Sequence, residues 1–161
     1  MRILWILSGL IGLLLLTSSC GTTSRMASPQ SGVSEEQHQE IIQLARSKLG
    51  SRYQYGATGP RRFDCSGFTW YVFQNTGVDI GRTTTMQAQA GQRIRPSGSR
   101  PGDLVFFGKG RKMEHVGIVV SNNGSGLEVI HASSSRGVII EDVYASPYWS
   151  ERIKFAVRPN S

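Results

Sequence analysis

The sequence has little of what several functional classes require. Its 161 residues include only two cysteines, Cys20 and Cys65, so the multi-bridge framework of small secreted domains is excluded. A single Cys20–Cys65 bridge would tie a terminal segment to one interior site and frame nothing. Only three histidines occur, His38, His115 and His131, and no close-spaced Cys/His pair gives a structural zinc signature. The apolar run from Ile3 to Leu16 is 14 residues long, short of the roughly 20 needed to cross a bilayer as a helix. Internal repeats and sustained heptads are absent, which excludes solenoids and coiled coils.

The amino terminus reads as a leader. Arg2 precedes the apolar run, and Thr17, Ser18 and Ser19 follow it before Cys20. That layout predicts a signal peptide over residues 1–19. Leu16-Thr-Ser-Ser-Cys20 resembles a bacterial lipobox, in which the cysteine is acylated and becomes the new amino terminus. Thr17 departs from the commonest pattern, which has leucine there, and a plain secretory peptide cleaved nearby is the alternative. Palmitate-length chains on Cys20 would anchor the protein firmly, each buried methylene contributing about 0.8 kcal/mol. Residues 21–33 are rich in Gly, Ser, Thr and Gln with no hydrophobic period, so residues 20–33 read as a lipidated cysteine and tether spanning about 20 Å. Residues 34–161 then form one domain, expected to be monomeric.

The net charge is +7, and loss of Arg2 with the leader leaves +6. The charge is spread over Arg61, Arg62, Arg93, Arg95, Arg100, Lys109, Arg111 and Lys112, as expected for a solvated basic surface compatible with an acidic polymer. Nucleic acid is not an expected partner, because export places the domain outside the cytoplasm and no recognition motif accompanies the charge.

Ser34 followed by Glu35, Glu36 and Gln37 is a capping-box pattern, and Ile41, Ala45 and Leu49 recur at helical spacing before Gly50, predicting a helix over about 35–49. His38 is expected on its solvent face. A second helix is expected from Asp64 as cap to about Gln74, with Cys65 in its first turn, and a short third over Thr84–Ala90. Beyond Gly91 come five β-branched or aromatic runs: Asp103–Phe107, His115–Val120, Leu127–His131, Val138–Glu141 and Ile153–Val157. Helices first and strands second predict an α+β domain, its amino-terminal helices packed on a largely antiparallel five-stranded sheet.

Chemistry concentrates at Cys65. A helix amino terminus favours a thiolate, but by only about 0.3–1 and at most about 2 kcal/mol. Lowering a thiol from about 8.5 to about 6 takes roughly 3.4 kcal/mol. A nearby imidazolium is therefore expected to supply the rest, with His115 as partner and His131 orienting it. A hairpin turn centred on Asn123 would set His115 directly opposite His131, with Cβ atoms about 4.5–5.5 Å apart.

Asp64-Cys-Ser-Gly-Phe68, Arg100-Pro-Gly-Asp-Leu-Val-Phe-Phe107, His115-Val-Gly-Ile118 and Ile130-His-Ala-Ser133 resemble, in order, the successive motifs of NlpC-type cell-wall cysteine peptidases, over about Glu35 to Arg158. The resemblance implies a papain-like core in which Cys65 attacks a peptide carbonyl, His115 serves as base and then acid, and His131 is the polar third member. It also implies that Tyr53 lines the site near the oxyanion, and that Asp64 and Ser66 hold a peptidoglycan stem peptide. Arg82, Thr83 and Gln87 match a positioning or structural segment. Ala57 and Gly81 depart from the family's usual glycine and proline. The bond cut would be γ-D-glutamyl-diaminopimelate or D-alanyl-diaminopimelate, the enzyme would face the cell wall from the periplasmic side of the outer membrane, and no cofactor is implied. Two other readings stay open: a non-catalytic wall-binding lipoprotein, and a zinc site made of Cys65, His115 and His131.

Overall fold

The computed structural model describes residues 33–160. The expected signal peptide, Cys20 and all of the expected tether but Val33 lie outside the described residues. Among the described residues no helix is long and apolar enough to cross a membrane.

Helix α1 (Glu35–Arg46) starts as its sequence dictates: Ser34 accepts from Gln37 N–H while the Gln37 side chain accepts from Ser34 N–H. It ends a turn earlier than the periodicity suggests. Ser47 caps it and turns its hydroxyl back to the Leu44 carbonyl, leaving Leu49 in a turn and 46% exposed. His38 also departs from expectation, since it is buried with Ile41 and Ala45 on the inward face. The three residues share the i, i+3, i+7 spacing of one helical stripe. Among the described residues, His38 Nε2 is the one buried side-chain nitrogen or oxygen without a partner.

Two short strands, β1 (Arg52–Tyr53) and β2 (Arg62–Phe63), pair in parallel and lead into α2 (Cys65–Asn75). Asp64 caps α2 by accepting from Gly67 N–H. A Cβ on Gly67 would lie 2.1 Å from the Ala57 carbonyl oxygen, so this first turn tolerates only glycine where the β1–β2 loop crosses it. Helix α3 (Thr84–Gln87) is shorter than expected and is capped by Thr83.

The main sheet contains β3 (Gly91–Ile94), β4 (Leu104–Phe107), β5 (His115–Asn122), β6 (Leu127–Ser133), β7 (Gly137–Asp142) and β8 (Ile153–Pro159), with helix α4 (Pro147–Ser150) before the last strand. The order is β3-β8-β4-β5-β6-β7, and every neighbouring pair in it is antiparallel. The sheet thus has six strands where five were expected. The added one, β3, is a short edge strand whose central residues Gln92 and Arg93 are exposed, so it has no apolar run to announce it.

Strand alternation sorts the core onto two faces. Leu104, Phe106, Val116, Ile118, Ile130 and Val157 pack with Phe68, Val72 and Ile41 of α2 and α1. Val105, Phe107, Val119, Val129 and Ala156 pack on the other face with Val143 and the partly buried Trp149. His115 and His131 carry the parity of this second face. Beside the sheet, Asp103 is fully buried and meets Arg158 at 2.9 Å, which fixes the Arg100–Asp103 turn that feeds β4.

Candidate active site

Cys65 is the first residue of α2, and its thiol reaches the end of the sheet where β5 begins. The backbone amides of Ser66, Cys65 and Val116 bear on its sulfur and favour the thiolate. Gly67 N–H is used by the Asp64 carboxylate and Phe68 N–H by the Asp64 carbonyl, which leaves the Cys65 and Ser66 amides for the sulfur or a bound oxyanion. Tyr53, Cys65, His115, Arg136, Trp149 and Arg152 are among the residues that line a cleft of about 420 Å³.

On the strand side, His115 Nε2 lies 2.8 Å from His131 Nδ1, with the rings edge-on at 4.9 Å. The two histidines meet as expected, but not by direct opposition. The observed pairs Ile118↔Ile130 and Val119↔Val129 place His131 opposite Gly117, two residues from His115. The turn is centred later, with Asn122 paired to Leu127, and Val120 is the extra residue of a β-bulge that takes up part of the difference. A shift of two preserves the face, so the rings meet diagonally. Gly117 makes room, since a Cβ there would lie 2.9 Å from His131 Cβ and 2.4 Å from Val129 Cγ1.

Behind His131 stand residues that the sequence reading did not single out. His131 Nε2 is 2.8 Å from Glu141 Oε1, which also accepts from Trp149 Nε1 at 2.7 Å and from Arg136 at 2.7 Å. The Trp149 indole stacks on His115 at 4.8 Å and 25°. A carboxylate on β7 with the parity of Ile139, the residue paired with His131, was the available signal for Glu141.

On the helix side, Asp64 and Ser66 are buried, and neither lines the cleft. Asp64 Oδ2 accepts from Gly56 N–H at 2.9 Å and from Arg82 at 2.8 Å, and Arg82 also donates to Ser66 Oγ at 2.9 Å. Gln87 donates to the Ser66 and Gly81 carbonyls and accepts from Thr69. Arg82 and Gln87 thus lock the β1–β2 loop and α3 onto the first turn of α2.

Burial pushes the Cys65 thiol above its ordinary value, and the Asp64 carboxylate adds to the shift. Burial, with His131 nearby, lowers His115 to about 3. Both effects favour the uncharged forms. These directions run toward a neutral thiol and a neutral imidazole, opposite to the imidazolium expected from the helix-end arithmetic. His131 is likewise lowered, by burial first and against the pull of Glu141. Burial raises Glu141, but hydrogen bonds from Arg136, Trp149 and His131 outweigh it and hold the carboxyl below its ordinary range. Among the described residues, no group of three or more His, Cys, Asp or Glu is arranged to hold a metal ion.

The model of the NlpC/P60 family matches residues 50–158. The chain belongs to the NlpC/P60 family. It is 39% identical over 115 residues to the probable endopeptidase p60 of Listeria welshimeri, covering 71% of this chain and 21% of that protein. Over 110 residues it is 39% identical to the murein DD-endopeptidase MepS/murein LD-carboxypeptidase of Escherichia coli, covering 68% of this chain and 56% of that one. The chain thus spans about a fifth of the Listeria relative and about half of the other. Among solved structures, the NlpC/p60 domain of the peptidoglycan hydrolase SagA superposes with TM-score 0.63 at 36% identity, over 74% of this chain and 97% of that domain. An NlpC/P60 family protein from Bacillus cereus gives TM-score 0.70 at 26% identity, over 77% of this chain and 40% of that one. In this NlpC/P60 domain, Cys65 from α2, His115 from β5 and Tyr53 from β1 line one cleft, and His131 from β6 lies buried behind His115, bonded to it.

Proposed function

We propose that this protein is a cysteine endopeptidase that hydrolyses amide bonds in peptidoglycan stem peptides through a thioester on Cys65. The observation that carries the reading is the placement of a helix-terminal thiol in a cleft that His115 also lines, with His115 hydrogen-bonded through Nε2 to His131. With Nε2 so engaged, Nδ1 is the nitrogen of His115 left to act on the thiol. Family membership supports the reaction class, and the relatives, a murein DD-endopeptidase and a peptidoglycan hydrolase, support the substrate class.

In the proposed mechanism His115 takes the proton of Cys65 as the sulfur attacks the scissile carbonyl, and the Cys65 and Ser66 amides receive the oxyanion. Collapse breaks the C–N bond, with His115 returning the proton to the leaving amine. Water, deprotonated by the same imidazole, then cleaves the thioester and restores the thiol. This is a papain-like division of labour between a helix-borne nucleophile and a strand-borne base. Tyr53 contacts the stem peptide from the cleft wall. Asp64 and Ser66 support that wall from one layer behind, through the helix cap and Arg82. The scissile bond is γ-D-glutamyl-diaminopimelate or D-alanyl-diaminopimelate. Acylated Cys20 would hold the domain on the periplasmic side of the outer membrane, within reach of the wall.

Digestion of purified sacculi, with fragments identified by mass spectrometry, tests the reading and selects the bond. Release of new amino and carboxyl termini at one of the two bonds is expected. Sacculi left intact by folded, thiol-reactive protein would refute it.

A further inference from the structure

A pair of hydrogen-bonded histidines has no built-in direction. Each neutral imidazole carries one N–H and one lone pair, so the contact between His115 Nε2 and His131 Nδ1 can be made with the proton on either nitrogen. Only one arrangement suits the proposed chemistry. If His131 Nδ1 holds the proton, His115 Nε2 must accept it, His115 Nδ1 carries its own N–H, and the nitrogen needed by Cys65 has no lone pair.

The structure contains a group that breaks this symmetry. Glu141 Oε1 lies 2.8 Å from His131 Nε2, and the same oxygen receives Trp149 Nε1 at 2.7 Å and Arg136 at 2.7 Å. Oε2 receives Arg136 at 2.9 Å. Three donors converge on this carboxyl, and an ionised carboxylate offers only lone pairs. His131 Nε2 must therefore carry its proton, His131 Nδ1 must accept, and His115 Nε2 must donate. Glu141 also fixes the indole that stacks on His115.

We propose that Glu141 is a positioning residue that sets the tautomer of His131 and, through it, the tautomer of His115, so that His115 Nδ1 is free to take the proton of Cys65. This rests on the reading of the cleft as a cysteine peptidase site, but its central observable does not need turnover. Arg136, 54% exposed, steadies the carboxylate without touching either histidine.

The test is long-range ¹H–¹⁵N NMR of imidazole-labelled protein, near neutral pH, in wild type and in Glu141→Gln, Glu141→Asp and Arg136→Met. Wild type is expected to show His115 and His131 each as a single Nε2–H tautomer. Glu141→Gln, whose amide can donate or accept, is expected to mix or invert the tautomers and lower kcat roughly 10–100-fold with little change in KM, less than the ~10⁴ loss seen when a group directly on the catalytic histidine imposes the wrong tautomer. Glu141→Asp should restore part of both signals. Arg136→Met should keep the wild-type tautomers, because Glu141 retains its bonds to His131 and Trp149. The proposal is overturned if wild-type His131 carries its proton on Nδ1, a measurement that needs no variant to fold. It is overturned equally if folded Glu141→Gln keeps both Nε2–H forms. Failure of the peptidase reading looks different: wild type would show the expected tautomers and leave sacculi uncut.

Discussion

Two polar networks flank Cys65, and they are built on opposite plans. The helix-side network of Asp64, Ser66, Arg82 and Gln87 is closed: its carboxylate, hydroxyl, guanidinium and amide groups are bonded to each other and to backbone, and Asp64 and Ser66 do not reach the cleft. The strand-side network of His115, His131 and Glu141 is open at one end, with His115 at the cleft and a carboxylate at the far end. A closed network fixes geometry, and an open one has somewhere to put a proton. The proposed nucleophile would draw on both, one to place its sulfur and one to change its charge.

The comparison is broken most severely by removing the group between the networks. Cys65→Ala is expected to abolish sacculus digestion, with fragment release at the level of protein-free controls and the melting temperature little changed. Next comes His115→Ala, which should lower kcat by about 10²–10⁴, the usual range for a general base. Thermal unfolding of that variant should show no loss of fold, separating proton transfer from architecture.

The helix-side network should fail in the other currency. Asp64→Asn removes the charge facing Arg82 and weakens the cap of α2, and denaturant unfolding should show a loss of about 1–3 kcal/mol. If instead this variant kept full stability and lost only turnover, Asp64 would belong with the catalytic groups.

Acid sharpens the contrast through stability. His38, His115 and His131 are all held below the ordinary histidine value, chiefly by burial, His115 down to about 3. The unfolded chain takes up these protons as pH falls through about 6.5, whereas the folded one takes them up at lower pH, at His115 only near about 3. Stability is therefore full above about 6.5 and declines progressively toward about 3. A urea midpoint that stays level across that window would contradict the buried, neutral state of these rings. The smallest effect is expected at His38, whose Nε2 has no partner. His38→Leu removes that buried polar atom and should change stability by less than about 1 kcal/mol, on the stabilising side, since an unsatisfied buried nitrogen costs about 1–3 kcal/mol and imperfect packing offsets part of the gain.

Much of this was legible in the sequence because it is local. Ser34 and Asp64 announce their helices by cap chemistry that acts within three residues, and the β-branched runs announce the strands β4 to β8 by alternation and content. What was not legible depends on distance or on a single inserted residue. Strand β3 exists only because β8 offers it an edge. The β5–β6 register turned on the Val120 bulge, which no composition signals, yet the histidine contact survived because the error was two residues and not one. Glu141 and Trp149 are ordinary residues in sequence and gain meaning only when β7 and α4 bring them to His131 and His115. Asp64 and Ser66 were expected at the substrate; in the structure both are buried outside the cleft lining and are held by an arginine 18 and 16 residues away.

The central claim is that Cys65 becomes acylated by a stem peptide. Wild-type protein mixed with a soluble muropeptide, quenched in acid within the first turnovers and digested, is expected to yield the Cys65 peptide carrying the mass of the acyl portion, with no such adduct in Cys65→Ala. Continued cleavage by Cys65→Ala, or turnover by wild type with the Cys65 peptide never modified, would contradict it.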